Sequence, residues 1–137
     1  MPKPIPPTTS RGIDAGIKLV ILANTILDMQ TTLDDVERTG ITLLTPEALR
    51  LAEDQDCTIR LIGEIVPEAG GVLRVSPRIV AKAHPLVVEG TLNAVTVETD
   101  LAGGDLTFIG KGAGSTETAS AVIGDLLYIR ERHVQGS

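Results

Sequence analysis

Apolar residues run from Ile13 to about Met29 with only Asp14, Lys18, Asn24, Thr25 and Asp28 as charged or polar interruptions, and they recur at helical spacing. The pattern predicts a helix that is oily nearly all round, hence a central one covered by protein on most sides. Asp34–Arg38 predicts a further turn of helix, and Gly40 then releases the chain into Ile41–Leu44, read as a short extended piece. Thr45, Pro46 and Glu47 supply an N-cap, a first-turn proline and a first-turn acid. They predict a second helix that ends near Gln55–Asp56.

The period then changes from helical to alternating. Four extended runs follow, Thr58–Val66, Val72–Val75, Thr91–Thr99 and Leu106–Gly110, with turn residues between them. Pro67–Gly71 reads as a hairpin loop and His84-Pro85-Leu86 as another turn, while Ser76-Pro77 is expected to stop or fray the second run because proline brings no donor. Along Thr91–Thr99, Asn93, Val95 and Val97 form an oily face, and Leu92, Ala94, Thr96 and Glu98 a mixed one. Ser115 is placed to cap a last helix through about Arg130, with Ala119, Val122, Ile123, Leu126 and Leu127 at helical spacing. The fold class is α+β: a largely antiparallel four-stranded sheet with helices packed on one face and the other face available for dimerisation. No second layer remains in the sequence to cover that face, so a mixed surface such as Leu92, Ala94 and Thr96 suits a second copy of the chain. A homodimer is expected.

Composition narrows the function. The 137 residues, 42% apolar, suffice for one sizeable core, and one domain is expected over residues 12–137. Residues 1–11 hold four prolines among the first seven positions and read as an extended arm. A formal charge of -6 and only two aromatic residues, Phe108 and Tyr128, argue against a nucleic-acid partner, which wants a basic stripe or stacking platforms. The lone Cys57 forms neither an internal disulfide nor a metal cage, which fits a reducing cytoplasm. No stretch has the length of about 18–20 apolar residues that a membrane span needs, and the start lacks the features of a secretory signal. A soluble, cytoplasmic protein is expected.

Two places carry candidate chemistry. Asp14 and Lys18 stand four apart, so both fall on one helical face. They read either as an exposed ion pair contributing about 0.3–0.5 kcal/mol or as a tuned pair. For the second, a lysine in the first turns sits at the positive end of the helix dipole. That dipole and partial burial disfavour its charged form while Asp14 favours it, which would suit a general acid or base. Gly110-Lys111-Gly112-Ala113-Gly114 follows a strand and opens a helix; it reads either as a tight turn or as a seat for a nucleotide phosphate. His84 is read as a loop residue and His133 as solvated, and no set of carboxylates suggests a metal site.

The ordered combination of these pieces resembles the substrate-binding and dimerisation domain of homoserine dehydrogenases. The likeness is carried by Gly12–Asn24, by Asp34–Val36 through Gly40–Glu47, by Ile59–Gly63, by His84–Leu86 through Asn93–Val95, and by Gly110–Gly114 with Thr118–Val122 and Asp125. It implies an NAD(P)-dependent interconversion of aspartate semialdehyde and homoserine, on the route to threonine and methionine. It makes Lys18 the catalytic proton donor, Asp14 a holder of the small amino-acid substrate, and Gly112 and Gly114 residues that face the cofactor. It also implies a homodimer. Such an enzyme is expected to carry a nucleotide-binding domain before this segment; the acid-rich run with a substrate-binding glutamate that normally precedes the helix reads here as Lys3–Ser10, and Lys111 stands where the family often has arginine. The expectation is a catalytic domain that is inactive until a separate nucleotide-binding domain or subunit is supplied. The alternative is a non-catalytic dimerisation or amino-acid-sensing module.

Overall fold

The computed structural model describes residues 11–100, 103–112 and 114–135. The proline-rich arm, Arg11 apart, and the Lys3–Ser10 stretch lie outside them. The chain divides into two compact units, Met1–Lys82 and Ala83–Ser137.

In the first unit, helix α1 spans Ile13–Ile26. Gly12 precedes it in a left-handed conformation, φ 72°, and its carbonyl accepts the Gly16 N–H at 2.9 Å. The helix stops short of Met29 because Asp28 turns left-handed, φ 52°, and the Asn24 amide clamps the returning chain. Asn24 Nδ2 donates to the Thr31 carbonyl and Asn24 Oδ1 accepts the Thr31 N–H, both at 2.9 Å. Asp34–Arg38, expected as a turn of helix, divides into a 3-10 turn at Leu33–Asp35 and a short strand, β1, at Val36–Arg38. Ile41–Leu44 is a turn rather than an extended piece, closed by Leu44 N–H to the Ile41 carbonyl. Helix α2, Pro46–Asp54, starts as expected, with Thr45 Oγ1 accepting the Ala48 N–H at 3.2 Å.

Strands β2, Cys57–Val66, and β3, Val72–Ala81, pair antiparallel through the Pro67–Gly71 loop, and β1 joins the far edge of β3 in parallel. The expected break at Ser76-Pro77 does not occur. The Val75 carbonyl points toward β1 and accepts the Thr39 N–H at 2.8 Å. Polar backbone groups alternate sides along a strand, so the Pro77 nitrogen points the same way, past the last β1 partner, Arg38, where no donor is needed.

Leu61, Gly63, Ile65, Leu73 and Val75 share one face of this sheet and meet Leu19 and Ala23 of α1, forming the core with Val36. Ile59 and Ile79 of the same face line a shallow cleft with Ala48, Leu51 and Ala52 of α2, so both helices lie on one side. The expectation that α1 is covered on most sides holds on this side alone: Ile17 and Ile21 are 46% and 57% exposed.

In the second unit, β4, Leu92–Thr99, pairs antiparallel with β5, Gly104–Lys111. The four expected strands are therefore present but ladder as two sheets, one of three strands and one of two, rather than as a single four-stranded sheet. Val95, Val97, Leu106 and Phe108 share the oily face of the second sheet and are exposed, whereas Ala94, Thr96 and Thr107 on the mixed face are half-buried. The last helix, α3, spans Ser115–Gln135, beyond the expected Arg130, with Arg132 stacked 5.1 Å from the Tyr128 ring centre. Ser115 is its first residue rather than its cap. Gly114 precedes it, and its carbonyl accepts both the backbone N–H and the hydroxyl of Thr118. No helix among the described residues is long and apolar enough to cross a membrane.

Candidate functional site

The face of α1 that carries the candidate pair is fixed by the face opposite. Gly12, Gly16, Leu19 and Ala23 point inward. A Cβ on Gly16 would lie 2.9 Å from Leu33 Cδ1, and one on Gly12 3.0 Å from Val75 Cγ1. These two glycines let the first turns lie close against the sheet and the 3-10 turn, which directs residues 14 and 18 to the outer surface.

There Lys18 Nζ stands 3.1 Å from Asp14 Oδ2. The two side chains are 56% and 57% exposed. The chain therefore supplies the pairing and the placement but little desolvation, and the pair taken alone is worth no more than about 0–1 kcal/mol of stability. Ile17 and Ile21 flank it on the same exposed surface. An ion pair inside an apolar, uncovered patch can hold a zwitterionic small molecule: the carboxylate meets an ammonium group and the amine meets an oxygen.

Gly112 and Gly114 belong to the second unit, at the turn between β5 and α3. Gly112 N–H donates to the Thr91 carbonyl at 2.8 Å. The space beside each glycine is already filled from within. The Asn93 amide occupies the place of a Gly112 Cβ, and the Glu117 carboxylate that of a Gly114 Cβ. Glu117 also pairs with Lys111 at 3.6 Å. A carboxylate thus sits where the first turn of α3 would otherwise attract an anion, so the turn does not fit a pyrophosphate.

His84 forms the expected turn, its Nδ1 accepting the Leu86 N–H at 3.1 Å. Among the described residues no group of three or more His, Cys, Asp or Glu side chains could hold a metal ion. Sequence reasoning did not single out Glu117 or the side-chain role of Asn93. Both are polar residues at element ends, where spacing alone gives no signal.

Residues 8–127 match the homoserine dehydrogenase family model. The chain belongs to the homoserine dehydrogenase family. A homoserine dehydrogenase of Methanocaldococcus jannaschii is 48% identical over 118 residues, a match that covers 86% of this chain and 34% of that protein. A crystal structure described as a putative homoserine dehydrogenase from Archaeoglobus fulgidus superposes with a TM-score of 0.76 at 48% identity, over 90% of this chain and 37% of that one. The chain thus spans about a third of the length of these relatives. On the cofactor, a relative from Pseudomonas canavaninivorans, 36% identical over 92% of this chain and 36% of its own length, is named NAD(+)-dependent. A hyperthermophilic archaeal homoserine dehydrogenase, similar at TM-score 0.68, was solved with NADPH. The family's oxidoreductase chemistry connects aspartate semialdehyde and homoserine.

Proposed function

We propose that this chain is the substrate-binding part of an NAD(P)-dependent homoserine dehydrogenase, with Lys18 as its acid–base residue and Asp14 as its substrate anchor. The observation that carries the reading is the 3.1 Å contact between Lys18 Nζ and Asp14 Oδ2 on an exposed apolar helix face, in a chain of this family. In the reductive direction Lys18, as an ammonium group, gives a proton to the aldehyde oxygen of aspartate semialdehyde while the carbonyl carbon takes up hydride. In oxidation the amine takes the hydroxyl proton of homoserine as hydride leaves the same carbon. Asp14 holds the substrate's ammonium group and, through its contact with Lys18, keeps the lysine on its side of the helix. The bound nicotinamide supplies or accepts the hydride. Gly112 and Gly114 are taken as cofactor-facing residues on the family likeness.

Substrate geometry of this kind needs a second surface over Lys18, and the exposed Ile17 and Ile21 suit an apolar one. A nucleotide-binding domain or subunit is the natural cover, and the chain on its own is expected to be inactive. The exposed Val95–Phe108 face of the second sheet is the better seat for a second copy of the chain than the half-buried Ala94–Thr96 face.

The test is NAD(P)-dependent oxidation of homoserine by the purified chain, with and without a relative's nucleotide-binding domain, alongside light scattering for mass. Turnover that appears with the added domain and vanishes in Lys18→Ala supports the reading. Equal rates in the mutant remove Lys18 from the reaction. The exposure of the pair also suits a sensing module; calorimetric binding of homoserine or threonine with no turnover in any mixture would favour it.

A further inference from the structure

Position 112 has no backbone reason to be glycine. Six glycines of the described chain take positive φ, among them Gly114 at 139°, but Gly112 is not one of them. What excludes a side chain there is Asn93. A Cβ on residue 112 would run into the Asn93 amide, with Oδ1 at 2.8 Å and the other amide atoms nearer still. Asn93 lies opposite Gly110 in the ladder, and two residues earlier Thr91 takes the Gly112 N–H at 2.8 Å. Thr91, just before β4, and Asn93 within it thus grip Gly112 twice, once by a backbone hydrogen bond and once by a wedge.

We propose that Asn93 is a positioning residue: its carboxamide, lodged against Gly112, sets the path by which the chain leaves β5 and enters α3. The consequence for catalysis rests on the dehydrogenase reading, in which this turn faces the nicotinamide; the steric lock does not. Asn93 touches no reacting atom and acts through the turn.

Amide hydrogen exchange at residue 112, followed by NMR on the full chain, separates the two. Gly112→Ala is expected to speed exchange at that amide by about five-fold or more, because the collision pulls it off Thr91. Adding Asn93→Ala is expected to return it to within about two-fold of the Asn93→Ala single variant, the mark of a direct coupling. An unchanged rate in Gly112→Ala, or a double variant no better protected than Gly112→Ala, overturns the lock. Should Gly112→Ala fail to fold, rescue by Asn93→Ala supports the proposal and a second failure overturns it. In a mixture that turns over, Asn93→Ala should raise KM for the nicotinamide nucleotide several-fold and leave kcat within about two-fold, and the similarly shaped Asn93→Leu should restore KM. A fall in kcat at constant KM overturns the positioning role, while the exchange result stands whether or not turnover is found.

Discussion

Gly16 and Gly124 offer a matched test of how closely α1 lies on its neighbours. Both are interior helical glycines, and changing either to alanine gains about 1 kcal/mol of helix propensity. Around Gly124 a new methyl would meet nothing within 4 Å. Around Gly16 it would meet Leu33 Cδ1 at 2.9 Å, Arg38 Cδ at 3.3 Å and Val36 Cγ1 at 3.8 Å. The first distance is well inside the optimum carbon separation of about 3.5–4.0 Å, and overpacking of this kind costs about 1–3 kcal/mol. Gly124→Ala should therefore stabilise α3 by about 1 kcal/mol, whereas Gly16→Ala should come out between neutral and about 2 kcal/mol destabilising. Native-state hydrogen exchange of the α1 and α3 amides reads each helix in its own unit, with about 1.4 kcal/mol for every tenfold change in protection. Equal gains in protection for both variants would refute the close approach. The same methyl lifts the helix between Asp14 and Lys18, so a reconstituted enzyme should lose turnover in Gly16→Ala and keep it in Gly124→Ala.

Leu73→Ala should cost about 2–5 kcal/mol in urea unfolding, because Leu73 is 1% exposed at the centre of the core and leaves a cavity. A loss below about 1 kcal/mol would mean that the site collapses freely. Asp35 accepts hydrogen bonds from the Thr32 N–H and hydroxyl, which lower its pKa from 3.8. Below the unfolded value the unfolded chain binds the extra proton, so this contribution is full above that value and disappears as pH falls through the folded one. Asp35→Asn should therefore lower stability at neutral pH, where the contribution is full, and flatten the acid side of the profile, read by urea unfolding across the acid range. Arg60 Nε is buried without a hydrogen-bond partner among the described residues. Arg60→Met should consequently be neutral or stabilising by about 1 kcal/mol by thermal unfolding, since it removes an unmet donor.

Local chemistry was legible wherever one residue type decides the outcome. Thr45-Pro46 starts α2, the Pro67–Gly71 loop joins two strands, and Asp14 and Lys18 meet on one face of α1. Strand β1 was not legible: it has three residues, too few to show a period, and exists because β3 has a free edge to receive it. Pro77 was misread for a related reason. Whether a proline ends a strand depends on which side its nitrogen faces, and that side is set by where a neighbouring strand stops.

The sequence by itself determined the three helices, the four longer strands and the family, because helical and alternating periods and the order of motifs are properties of the chain. Tertiary structure decided the ladder partners, the outward placement of Lys18 and Asp14, and the filling of the space at Gly112 by Asn93. Those depend on contacts between residues distant along the chain, whose cost and gain no local window contains.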